Sequence, residues 1–297
     1  MSPRVEAAAA NRDTRAFVQG LVQLTKPGVT RMVLVTVAFG AIIAPGRLDW
    51  AKLCLTLVAT AAVVGASNAL NMYLERDVDA RMERTRDRPI PSGRVSPEVA
   101  LWFGVLLAFS GLVALSLLVN ALAGLLCATA LISYVLAYTP LKRITPFALH
   151  VGTLPGAIPP LIGWAAMTGR ISAAALTLFA IQVVWQIPHF LAISIFRRTE
   201  YEGAGFAVYP SVQGVGAAKR AIIGYSLLLL LASLAPVMFG LGGPIYLVVA
   251  AVLGTIQVAV AIAGQRVENL DRWARRLFFS TLPYLVAVFG CLALTSP

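Results

Sequence analysis

Leu53-Cys-Leu-Thr-Leu-Val-Ala-Thr-Ala-Ala-Val-Val-Gly-Ala-Ser-Asn68-Ala-Leu70 runs straight into Asn71-Met-Tyr-Leu-Glu75-Arg-Asp77-Val-Asp79-Ala-Arg81. The first part carries no charge, and at about 1.5 Å per residue it comes close to crossing the roughly 30 Å hydrocarbon core of a bilayer. It does not alternate polar with apolar residues, as a strand of a membrane barrel must. In lipid only helices and closed barrels satisfy every backbone N–H and C=O. The stretch therefore reads as a transmembrane helix that brings a polar, acidic end to one membrane face.

Working outward, comparable apolar runs recur from Val29 to the C-terminus, and 59% of the 297 residues are hydrophobic while 12% are charged. An ordinary soluble domain has roughly a quarter of its residues charged. Windows bounded by Gly, Pro and charge give about nine spans, near 29–45, 53–74, 98–118, 121–138, 147–168, 173–195, 219–240, 244–264 and 276–294. The expected fold is all-α, a polytopic bundle of about nine transmembrane helices over residues 23–297. Residues 1–22 are expected to form a disordered cytoplasmic tail, because Glu6 and Asp13 interrupt Met1 to Phe17 and no secretory apolar segment is present.

Of 24 Lys and Arg, this topology puts only Arg47, Lys52 and Arg170 on one side and the other 21 on the opposite side. By the positive-inside rule the N-terminus is expected to be cytoplasmic and the C-terminus outside, and an odd number of spans is favoured; the expected location is a bacterial cell inner membrane. The net charge of +11 follows from topology. Basic grooves studded with aromatics are absent, so no nucleic-acid partner is expected. Cys54, Cys127 and Cys291 lie in apolar runs without paired spacing, which points to neither disulfides nor a thiolate metal site.

Asn71, Glu75 and Asp79 recur at four-residue steps, about 6 Å apart along one helical face. Two like charges on one face repel unless a cation sits against them. All-oxygen ligands suit Mg²⁺, which binds one or two carboxylates completed by phosphate and water. The following Arg81-Met-Glu83-Arg84-Thr85-Arg86-Asp87-Arg88-Pro89 could clasp phosphate oxygens. The other reading is an ion-paired helix end whose arginines only set topology. A second cluster, Arg197-Arg198-Thr199-Glu200-Tyr201-Glu202, echoes the mixture of acids and arginines, and Lys142-Arg143 is a third basic pair on that side. His189, next to Pro188 inside a span, is an intramembrane ionisable group and so a functional candidate, or else a hydrogen bond between helices.

On these residues the chain resembles the UbiA superfamily of intramembrane prenyltransferases, and within it the haem branch, the protohaem IX farnesyltransferases. Asn71 to Asp79 is similar to the superfamily's first acidic motif. Arg84-Thr85-Arg86-Asp87-Arg88-Pro89 with Pro91-Ser92-Gly93-Arg94, Leu24-Thr25-Lys26-Pro27, Tyr138-Thr139 with Lys142-Arg143, Gly156-Ala157 with Pro159-Pro160 and Gly163-Trp164-Ala165, and above all Trp185-Gln186 with Pro188-His189-Phe190 narrow it to the haem branch.

The resemblance implies that farnesyl diphosphate binds through Mg²⁺ held by Asn71, Glu75, Asp79 and Glu200. Arg84, Arg88, Lys142, Arg143, Arg197, Arg198 and Tyr201 assist the diphosphate, and haem b, the acceptor, is contacted by His189. Further candidates are Asn68, Asp77, Thr199, Glu202 and His150. The product is haem O, a step towards haem A for terminal oxidases. Besides the lipid bilayer, the expected partner is a haem hand-over protein such as haem A synthase or an oxidase assembly factor. Two departures from the haem branch stand out: Thr199-Glu200 where two Asp are usual, and Ala148 where Asn is expected. The alternatives are a prenyltransferase acting on an aromatic or quinone precursor, and, in a different class, a transporter.

Overall fold

The computed structural model describes residues 3–296, with side chains from residue 14 onward. Every regular element among them is helical. Helix α1 (Pro3–Leu24) leads into α2 (Pro27–Ile43) across Lys26, whose positive φ of 45° breaks the helix just before Pro27 restarts it. The remaining long helices are α3 (Trp50–Asp79), α4 (Pro97–Val119), α5 (Ala121–Leu141), α6 (Ala148–Thr168), α7 (Ala173–Phe196), α8 (Val215–Phe239), α9 (Pro244–Arg266) and α10 (Leu270–Thr295). Starts are written locally: the side chains of Asp49, Ser96, Asn120, Ser172 and Asn269 each accept from a first-turn N–H.

Eight stretches among the described residues are long and apolar enough to cross a membrane. That is close to the nine expected. The difference is α6: Pro155, Pro159 and Pro160, with His150 and Thr153, lower its hydropathy, and most of its residues are buried inside the bundle. A helix shielded from lipid on nearly all sides does not need a lipid-like surface.

Close approach holds α6 against α2. A Cβ on Gly40 would overlap the Pro160 carbonyl, and one on Gly163 would overlap the Val37 carbonyl, so both positions need glycine. Around α6 lie two packing groups. One joins α2 to α6 through Val37, Val63, Leu115, Cys127 and Ile158. The other joins α6 to α10 through Trp164, Leu178, Leu229, Tyr246 and Phe289.

The stretch expected to be a disordered tail is helical from Pro3. Its first two residues lie outside the described residues. The described end of α1 is tied down: Leu24 is fully buried, Gly20 faces Val95, and Arg94 Nη1 donates to Gln23 Oε1 at 2.9 Å. Loop α3–α4 supplies these partners, which a reading of charge alone could not anticipate.

At 30 residues, α3 is about 45 Å long, well over the hydrocarbon thickness. Its last turns, which hold Asn71, Glu75 and Asp79, therefore stand at one membrane face, where the loops after α3, α5 and α7 gather. In α5 a π-helical segment, Ser133–Tyr138, widens the last turns before that face.

Candidate active site

Asn71, Glu75 and Asp79 share one face of α3 as their spacing requires, and each is buried to within 3%. Two buried carboxylates one turn apart need compensation. It comes from distant segments. Lys142 Nζ lies 2.7 Å from Glu75 Oε1 and donates to its Oε2 at 2.8 Å. Arg88 Nη1 donates to Asp79 Oδ2 at 2.6 Å, and Thr85 Oγ1 donates to the Asp79 carbonyl. Asn71 Nδ2 donates to Glu75 Oε2 at 3.0 Å and to Thr139 Oγ1 at 3.2 Å, while Asn71 Oδ1 accepts from Lys26 Nζ at 3.2 Å. Burial pulls the Lys142 ammonium below the ordinary lysine range, and the adjoining Glu75 opposes that drop.

Glu75, Asp79, Arg84, Arg88, Lys142 and Tyr201 line one cavity of about 230 Å³. A second cavity, about 350 Å³ and walled chiefly by apolar side chains of α2, α3, α5, α6 and α7, lies deeper in the bundle. Tyr138 and Phe190 line both. A polar pocket for a charged head thus adjoins an apolar pocket for a hydrocarbon body, with two aromatic rings at the junction. Pockets that mix a few convergent polar groups with apolar walls are the usual form of a ligand site.

Among the described residues no group of three or more His, Cys, Asp and Glu side chains could hold a metal ion. Glu75 and Asp79 line the cationic cavity, and Asn71, which lines neither cavity, stands one turn behind and donates to Glu75, so the stripe is nonetheless an all-oxygen set beside that cavity. That set suits Mg²⁺, which takes one or two carboxylates and completes its shell with phosphate and water.

The structure sorts the remaining expected site residues. Glu200 lies at the rim: its Oε1 accepts from Arg84 Nε at 3.0 Å and its Oε2 from Arg197 Nη1 at 3.1 Å, joining the loop after α3 to the loop after α7. Arg198 and Glu202 are exposed and pair with each other at 3.6 Å. Thr199 is exposed as well, and exposed Asp77 makes only a 4.0 Å contact with Arg76. Arg143 is exposed and caps the Leu74 carbonyl at 3.3 Å. Asn68 donates to the Thr25 carbonyl and faces the apolar cavity.

His189, expected to contact haem, lines neither of these two cavities. It lies between the rings of Trp185 and Phe278, at centroid distances of 5.0 and 4.3 Å, and its Nδ1 is 2.7 Å from Thr281 Oγ1. Helical spacing places Phe190 towards the cavities and turns its neighbour His189 to the α7–α10 interface. His150 Nε2 meets Tyr225 Oη at 3.1 Å, between α6 and α8.

Lys26, Thr139, Tyr138 and Phe190 were not singled out as site residues by sequence reasoning. Lys26 and Thr139 join Asn71 from 45 and 68 positions away. The only sequence signal was their place within the stretches Leu24 to Pro27, Tyr138-Thr139 and Pro188-His189-Phe190.

Comparison with known proteins bears on the family and the fold. Residues 33–282 match the model of the UbiA prenyltransferase family. Protoheme IX farnesyltransferase of Anaeromyxobacter dehalogenans is 48% identical over 280 residues, covering 94% of this chain and 95% of that protein. The protoheme IX farnesyltransferase of Myxococcus xanthus is 46% identical, covering 92% and 93%. Among solved structures, a digeranylgeranylglyceryl phosphate synthase superposes with a TM-score of 0.80 at 17% identity, covering 94% of this chain and 98% of that one. A UbiA homolog from Archaeoglobus fulgidus bound to GPP and Mg²⁺ gives 0.67 at 16% identity, covering 92% and 99%.

Proposed function

The chain belongs to the UbiA prenyltransferase family, and from that premise we propose that it transfers the farnesyl group of farnesyl diphosphate to a vinyl group of haem b, giving haem O and diphosphate. The observation that carries the reading is the pair of adjoining cavities, one polar with buried acids and cations, the other apolar. The choice of haem as acceptor follows the relatives, protoheme IX farnesyltransferases at 36–50% identity over most of the chain.

The diphosphate occupies the polar cavity, where Arg84, Arg88 and Lys142 meet its oxygens. Held by Asp79 and Glu75, the Arg88 and Lys142 side chains keep their positions before substrate arrives, so little reorganisation accompanies binding. Mg²⁺ bound through Asn71, Glu75 and Asp79 together with diphosphate oxygens would neutralise charge on the leaving group.

The C1–O bond of the donor breaks with its electron pair leaving on the diphosphate. The haem vinyl carbon attacks the allylic cation, water adds to the neighbouring carbon, and the proton lost from that water leaves a hydroxyethylfarnesyl side chain. Tyr138 and Phe190, at the junction of the cavities, offer π faces to the cation, and the apolar walls keep stray water from it. No protein nucleophile is needed.

In this reading the polar cavity faces the cytoplasm of a bacterial cell, with the N-terminus on that side and the C-terminus outside, an orientation that the distribution of Lys and Arg supports. Haem O is poorly soluble in water, so a membrane partner such as haem A synthase or an oxidase assembly factor receives it.

Membranes containing the protein, supplied with haem b, farnesyl diphosphate and Mg²⁺, should yield a haem heavier by a farnesyl group plus water. Farnesylation of a hydroxybenzoate with no modified haem would contradict this reading.

A further inference from the structure

The apolar cavity is not uniformly apolar. On the five helices that line it with several residues, the lining residue farthest from the carboxylates is Thr36 on α2, Thr60 on α3, Cys127 on α5, Ile162 on α6 and Gln182 on α7, while α10 contributes Leu285 alone. These five make its floor. Thr60 Oγ1 and Gln182 Oε1 are buried there without any hydrogen-bond partner, at 0% and 5% residue exposure, whereas Thr36 Oγ1 is satisfied by the Val33 carbonyl. Such orphaned atoms are rare and costly inside a protein.

The depth of the floor matches a particular chain. From the junction, Phe190 to Gln182 is eight residues, about 12 Å of helix, and Tyr138 to Cys127 is eleven, about 16 Å. An extended chain advances about 1.2 Å per bond, so the eleven main-chain carbon–carbon bonds of a farnesyl group span about 13 Å and one more isoprenoid unit adds about 5 Å.

We propose that Thr60 and Gln182 form a polar floor that limits the isoprenoid accepted by this cavity to fifteen carbons. This rests on the reading above that the donor is farnesyl diphosphate. An isoprenoid arriving from the bilayer already lies in hydrocarbon and gains little from an apolar cavity, so selection falls on what its far end meets. A fifteen-carbon chain, about 13 Å long, ends level with the floor and need not displace the amide or the hydroxyl. A twenty-carbon chain, about 5 Å longer, overruns the floor and drives methyl groups against these polar side chains, a penalty of roughly tenfold or more in affinity.

The test is competitive binding of farnesyl and geranylgeranyl diphosphates to the purified full-length protein with Mg²⁺ and no acceptor. Wild type should prefer the farnesyl compound by at least roughly tenfold. Gln182→Leu combined with Thr60→Val should bring the two within about threefold, and the volume-matched Gln182→Met should fall between. Ile162→Ala hollows the same floor without changing its polarity and should leave the preference in place. The proposal is overturned if wild type shows no preference, or if Ile162→Ala abolishes it while the polar substitutions do not. Because no haem is present, a missing haem product in the membrane assay leaves this ratio readable, so the two ideas fail separately.

Discussion

The two acidic clusters look like echoes of one another in the sequence and are physically unlike in the structure. Glu75 and Asp79 are buried, and cations brought from other loops are held against them. Glu200 and Glu202 sit at a rim, paired mainly within their own loop, and Glu202 with its partner Arg198 is exposed. Charges excluded from water act strongly on a substrate that shares their cavity, whereas exposed pairs are screened and contribute little. The proposed chemistry is therefore assigned to the first cluster. The second is a latch, since Arg84 joins it to the loop after α3.

Substitutions should grade along that contrast. Asp79→Asn keeps the shape and removes one carboxylate charge from the polar cavity. It should cut kcat/KM for farnesyl diphosphate by roughly a hundredfold or more. Wild-type turnover in that variant would erase the distinction between the clusters.

Arg88→Leu should act on stability as well as activity, because it leaves buried Asp79 without its cation. Breaking such a pair costs about 3–5 kcal/mol, which thermal unfolding in detergent should register as a drop of roughly ten degrees. Adding Asp79→Leu should restore much of the melting temperature and none of the activity. An unchanged melting temperature in the single variant would mean that the pair is better solvated than its geometry implies.

His189→Ala removes a ring between Trp185 and Phe278 and a bond to Thr281, so it should lower stability by about 1–3 kcal/mol. Use of haem and of farnesyl diphosphate should fall together. A selective loss of haem use would return His189 to the role that the family resemblance implied.

Glu200→Gln loosens the latch and should raise KM for the diphosphate only severalfold, in line with a partly exposed pair. Glu202→Gln should be indistinguishable from wild type in kinetics. An effect of Glu202→Gln as large as that of Asp79→Asn would make the clusters equivalent after all.

The sequence carried the spans plainly, because lipid tolerates only long apolar helices and their lengths are set by the bilayer. It carried the stripe Asn71, Glu75 and Asp79 as well, since helical periodicity fixes which residues share a face. It could not pair that stripe with Lys26, Thr139 and Lys142, which reach it only through packing of separate helices. Nor could spacing tell that Phe190 faces the cavities while His189 does not. The ordered end of α1 and the low hydropathy of α6 share a cause: both are set by neighbouring protein, whereas the apolar windows report on lipid.

The central claim is that the buried acids on α3, and not those of the rim, hold the metal and its diphosphate. Titration of farnesyl diphosphate into purified wild type, Asp79→Asn and Glu200→Gln, each with and without Mg²⁺, tests it most directly. Mg²⁺ should strengthen binding to wild type and Glu200→Gln to a similar extent and have almost no effect on Asp79→Asn. A full Mg²⁺ effect in Asp79→Asn, or its loss in Glu200→Gln alone, would contradict the account.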